Sequence, residues 1–190
     1  MIPMTNNEAS DAVAAASAGI GRNAGATEQA HAEGHYTVEC RDAQGNLKWV
    51  DGFDNLVTTG GKNDALDKYL AGSAYTAAWF MGLISATSYT TGPAAADTAA
   101  SHGGWTEDQN YSQASRPTAA FSAASAGSKA LSSALTFSMN AATTIKGCFL
   151  IANATKGGTT GVLYSAGLFT GGDKVLANGD TLSVSYTASL

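Results

Sequence analysis

The last nine residues of the chain keep a period of two. Leu182, Val184, Tyr186, Ala188 and Leu190 alternate with Ser183, Ser185, Thr187 and Ser189, the pattern of a strand with one buried and one wet face. The same period governs Tyr36, Val38 and Cys40 against Thr37, Glu39 and Arg41. Asp42 to Asn46 then reads as a turn, with Gly45 and Asn46 suited to positive φ. Leu47 and Trp49 share one face of the returning strand, which predicts a hairpin, and Asn55 to Thr59 extends its sheet. The period then changes. Ala65, Leu66, Tyr69 and Leu70 recur at helical spacing while Asp64, Asp67 and Lys68 fall on the other side. One short helix near residues 62–71 is expected, with its apolar residues turned inward and Gly72 as its stop.

Ala77 to Ser85 is a near-continuous apolar run, the pattern of a strand buried on both faces. A long polar stretch, residues 86–133, follows with breakers at Gly92-Pro93 and Arg116-Pro117; loops of that length are often functional. Strand patterns return at Leu135, Phe137 and Met139, in "TIKGCFLIAN" and in "GVLYSAGLF". About eight short strands separated by turn signals predict an all-β fold over residues 35–190: an antiparallel β-sandwich, jelly-roll-like, carrying the one helix. An exposed final strand would invite unwanted pairing. The terminal strand is therefore expected inside a sheet, with Leu190 against the core or another chain.

Residues 1–34 break the pattern. This Ala- and Gly-rich stretch has no aromatic residue, and by itself it buries too little surface to offset its ordering entropy. It reads as an extended N-terminal arm that contacts a partner, with Val13, Ile20, Arg22 and His31 as candidate contact residues. Composition sharpens the picture. The chain is 44% hydrophobic but only 13% charged, about half the usual ~25%, which suits a protein packed inside a larger assembly. The net charge of −5 and the scatter of Lys and Arg leave no footprint for nucleic acid or an anionic membrane. The opening "MIPMTNNEAS" has neither the basic nor the apolar part of a secretion signal. Cys40 and Cys148 lie in strand-like runs and read as buried small hydrophobes, as suits assembly in a reducing cytoplasm.

Candidate chemistry is sparse. "GIGRNAG" resembles a dinucleotide fingerprint but lacks the strand-to-helix setting that makes one work. His31 and His35 are four apart, yet Gly34 spoils the helix such a metal pair needs. Asp51, Asp54, Asp64 and Asp67 do not follow a calcium-loop spacing. His102 lies close to Glu107 and Asp108, an acid–base grouping in principle, but no nucleophile motif accompanies them. The reading is that Gly103-Gly104 turn, Trp105 anchors the loop and His102 bonds locally. No catalytic residue, cofactor or metal site is expected, and the protein is not expected to be an enzyme.

Three segments, "NLVTTGGKNDALDKYLAG", "DTAASHGGWTE" and "GDTLSVSYTASL", together resemble small virion structural proteins of tailed bacteriophages. In order they span most of residues 47–190, and none is a catalytic motif. The resemblance implies a head component, a cement or decoration protein on the outer capsid. Its partners would be the major capsid protein and further copies of itself, as a dimer or trimer, with no nucleic acid or membrane. Its place would be the virion, and the host cytoplasm during assembly. A tail fibre or receptor-binding module is the alternative expectation. The resemblance does not cover the arm.

Overall fold

The alternation at the end of the chain builds the middle of a sheet. The structure, a computed structural model, describes residues 31–70, 72 and 78–190; the candidate residues Val13, Ile20 and Arg22 lie outside them. β1 (Glu33–Arg41) and β2 (Leu47–Asp54) form the expected hairpin. Asp42 caps its turn, accepting from the amides of Gln44 at 2.9 Å and Asn46 at 2.8 Å. β12 (Thr181–Ser189) pairs antiparallel with β1 along its whole length, from Glu33 opposite Ser189 to Arg41 opposite Thr181. Its far side is shared end to end by β7 (Ser128–Ala130) and β8 (Leu135–Ser138). The final strand is thus an interior member, as its pattern requires. Leu190 does not pack against the core of its own chain: it is 77% exposed, and its amide is held by the Gly127 carbonyl at 3.0 Å. It lies one residue past the last paired position, where no inner face remains.

The second sheet runs in the order β3 (Leu56–Val57), β10 (Leu163–Leu168), β9 (Thr143–Ile151), β4 (Trp79–Ser85) and β5 (Glu107–Asp108). β11 (Lys174–Leu176) pairs with β9, and β6 (Thr118–Ala119) with β4. All of these pairings are antiparallel. One expectation is corrected here. Leu56 and Val57 do not extend the hairpin sheet but cross over to pair with Ala166 and Ser165. A second correction concerns Leu47, which sits beside the register shift at Arg41 and is 53% exposed.

The two sheets face each other across one core, an all-β sandwich. Tyr36, Val38, Phe53, Phe137, Leu182, Val184 and Tyr186 from the first meet Met81, Leu83, Ile145, Cys148 and Leu150 from the second. Cys40 and Cys148 are buried free thiols within it, and burial holds both well above the usual thiol range, Cys40 at about 11. The second sheet is apolar on its outer face as well. Ile84, Phe149, Ile151, Leu163 and Ala166 pack there under Ala99 and Trp105. The long polar stretch is therefore a cover rather than a free loop. That cover explains why β4 and β9 read as continuous apolar runs although their sheet is antiparallel, where one-sided burial is the common case.

The helix α1 spans Thr59–Leu70, starting earlier than its apolar spacing indicates. Thr58 caps it: its hydroxyl accepts from the Gly61 amide at 3.0 Å and donates to the Leu163 carbonyl at 2.5 Å. The orientation is the reverse of the one expected. Leu66, Tyr69 and Leu70 are 55%, 88% and 73% exposed, whereas Asp64 and Lys68, joined at 2.8 Å, are mostly covered. Gly61 fixes this choice. It is the buried residue of the helix, and a Cβ there would stand 2.5 Å from the Tyr164 carbonyl oxygen. Only the glycine face can approach β10 so closely, and residues three and seven positions on share that face.

Candidate functional site

The polar group flagged by the sequence lies in the cover over the second sheet. His102 precedes the Gly103-Gly104 turn, and its ring stacks on Trp105 at 4.2 Å. The Nδ1–H donates to the Trp105 carbonyl at 2.9 Å, since a carbonyl only accepts. Trp105 is 3% exposed, packs on Phe149 and donates its indole N–H to Asp97 at 2.9 Å. The local role expected for this loop is the one observed.

Glu107 and Asp108 are built into the structure. Arg116 donates to Glu107 through Nε and Nη2, both at 2.9 Å, with side chains 2% and 5% exposed. The Gly157 amide reaches the same carboxylate at 2.5 Å and the Tyr111 hydroxyl at 3.3 Å. Arg116 completes its set on the carbonyls of Asn153 at 2.8 Å and Gly158 at 3.3 Å, with its guanidinium 5.3 Å from the Phe149 ring centre. Burial, and then the neighbouring Glu107 charge, push the Tyr111 hydroxyl far above the usual phenol range. Asp108 accepts from the Asn110 amide at 2.9 Å and from the Thr143 hydroxyl. A cavity of about 230 Å³ adjoins this group, lined partly by His102, Glu107, Arg116 and Phe149. Both carboxylate oxygens of Glu107 are already engaged, Oε1 by Arg116 Nε and the Tyr111 hydroxyl and Oε2 by Arg116 Nη2 and the Gly157 amide. What the arrangement does is clamp the 107–116 segment to the 153–158 turn. Arg116, read from the sequence only as a chain breaker before Pro117, is the centre of the clamp. No local motif betrays the pairing, because its partners come from strand β5 and from the 153–158 turn, some forty residues away.

The remaining candidates are dispersed. Asp51 is held by Lys174 at 2.8 Å, the Thr170 hydroxyl at 2.7 Å and the Gly171 amide at 3.0 Å. Burial would raise its pKa, but these three donors outweigh it and hold the carboxyl below the usual range. Asp54 pairs with His35 at 2.8 Å, and Asp64 with Lys68. Among the described residues no three His, Cys, Asp or Glu side chains come together as a metal-holding group. His31, the one arm candidate among the described residues, is exposed.

Two apolar features were not foreseen. One is the outward face of α1. The other is a groove of about 240 Å³ at the open end of the sandwich beside the helix. Trp79, Phe121, Leu150, Tyr164, Tyr186 and Ala188 line it, with Asp64, Lys68 and Lys129 as its polar members. Trp79 and Tyr164 meet edge to face at 5.4 Å, and Phe121 and Tyr186 at 6.2 Å. Ala188 is the register partner of Gly34, so the groove opens where the chain enters its first strand. Among the described residues no helix is long and apolar enough to cross a membrane. Compared with protein-family models and with curated protein sequences, the chain matches none.

Proposed function

We propose that this protein is a structural component of a tailed-bacteriophage virion, a cement or decoration protein that binds the outer head surface and bridges subunits of the major capsid protein. The observation that carries the reading is the outward apolar face of α1. Leu66, Tyr69 and Leu70 lie within the segment that resembles phage virion proteins, and they are exposed at helical spacing. An apolar stripe on a capped helix, in a chain so poor in charge, is the feature of a surface meant to be covered by protein. The clamped state of Glu107 and Arg116 agrees with a scaffold rather than a reacting centre. Such a protein stabilises a shell by binding the assembled lattice, which shifts the assembly equilibrium by mass action and gains from multivalent contact. Self-association and the arm would add contacts of the same kind.

The test is the copy number per virion, measured by quantitative mass spectrometry of purified particles. A head protein is expected in numbers comparable with the major capsid protein. A handful of copies would instead favour a tail fibre or receptor-binding module.

A further inference from the structure

We infer that Asp97, in the cover over the second sheet, is a positioning residue for α1. Through the Ala95 carbonyl it fixes the angle at which the helix presents Leu66, Tyr69 and Leu70. That these three meet a partner rests on the function proposed above; the positioning itself does not.

A surface helix is ordinarily held at its angle by its own apolar stripe. In α1 that stripe faces away from the body and Gly61 is the buried residue, so the contacts at its start carry more of the task. The first turn of a helix has amides without partners inside the helix. Here two supports flank it. On one side Thr58 bonds β10, its amide donating to the Tyr164 carbonyl at 2.9 Å and its hydroxyl to the Leu163 carbonyl at 2.5 Å. On the other, the Thr59 amide donates to the Ala95 carbonyl at 2.8 Å. The first support is a strand of the body. The second is a loop, and a loop carbonyl holds only as well as it is itself held.

Asp97 does the holding. Its amide donates to the Ala94 carbonyl at 3.0 Å, and its Oδ2 accepts from the Ala94 amide at 3.0 Å. These two bonds close Ala94 to Asp97 into a turn that contains Ala95. The same Oδ2 accepts the Trp105 indole N–H at 2.9 Å, and Trp105 belongs to the buried cluster on the outer face of the second sheet. One carboxylate oxygen thus ties the turn that touches α1 to a packed core, and an ionised acceptor strengthens both bonds. An error at the start of the helix grows toward its end. Leu70 lies eleven residues beyond Thr59, ~16 Å along the axis, so a tilt of about 10° moves it by about 3 Å. Close-packed surfaces do not absorb a shift of that size.

The test compares the full-length protein with its Asp97→Ala and Asp97→Asn variants; asparagine keeps an acceptor oxygen in place. In Asp97→Ala, hydrogen exchange at the Thr59 amide should rise about tenfold. Residual dipolar couplings across residues 64–70 should change, while exchange at Val38 and Val184 stays at the wild-type rate. Affinity for assembled phage heads that lack the protein, read by co-sedimentation, should fall about tenfold. Asp97→Asn should restore all three readouts toward wild type. Unchanged Thr59 exchange or unchanged couplings in Asp97→Ala would overturn the proposal. So would a loss of protection that extends to Val38 and Val184, which would make Asp97 a support of the whole fold. If the wild-type chain does not bind heads, the functional reading falls, and exchange and couplings still decide the positioning. Altered couplings with undiminished head binding would uphold the positioning and remove α1 as the contact.

Discussion

A buried guanidinium–carboxylate pair behaves asymmetrically when altered. Arg116 and Glu107 satisfy one another and five further groups with side chains almost wholly buried, so removing one leaves the other charged and stranded. Arg116→Met is therefore expected to lower unfolding free energy by about 3–5 kcal/mol in urea titration. His102→Ala removes a ring from an already bonded loop and should cost nearer ~1 kcal/mol. Similar losses for both would mean the clamp is not the main support of the cover. Asp51 gives a pH prediction with a definite sign. Its folded-state pKa is depressed, so the stability it contributes is complete above the ordinary carboxylate pKa of ~3.9 and is lost as pH falls below that. Asp51→Asn should flatten the acid limb of a stability–pH curve below about pH 4 while leaving the neutral-to-alkaline limb unchanged in shape. At this scale the sequence was partly legible. His102 and Trp105 announce their local roles through the adjoining glycine pair and the short spacing between them. Arg116 announces nothing, since its role depends on carbonyls at Asn153 and Gly158 that only the fold brings near.

Among the elements, strands were read well wherever burial is one-sided. β1 and β12 alternate, and their residues occupy the faces that the alternation assigns. The apolar runs of β4 and β9 also declared burial on both faces, though not what covers the second one. Helix α1 is where pattern reading went astray. Helical spacing of Leu66, Tyr69 and Leu70 reveals a helix and an apolar stripe, but it is silent on which way the stripe turns. The contact at Gly61 decides that, and it is tertiary. Gly61→Ala is expected to be destabilising because the added Cβ meets the Tyr164 backbone rather than a yielding side chain, with a loss of about 1–3 kcal/mol. The triple change Leu66→Ser, Tyr69→Ser, Leu70→Ser should leave thermal stability nearly unchanged, within about 0.5 kcal/mol per site, while weakening attachment to the partner. A large loss of stability with unchanged attachment would place the stripe inside the body's own packing and remove the chief support for the functional reading.

For the whole molecule, the sandwich and the outward helix face combine into one physical proposition: a body folded around its own core that presents apolar surface for another protein. First and last strands are locked together over nine register pairs, so Glu33 and Ser189 lie side by side at one end of the sheet. Contacts made by the arm, by α1 and by further copies would each be modest, and their linkage through one rigid body would multiply their effect. The most direct measurement is co-sedimentation of the purified full-length protein with assembled phage heads that lack it. Saturable binding to intact shells, in fixed proportion to capsid subunits and weaker for a chain lacking residues 1–30, is the predicted result. Binding to isolated tails or to cell-surface glycan, with none to shells, would contradict the account.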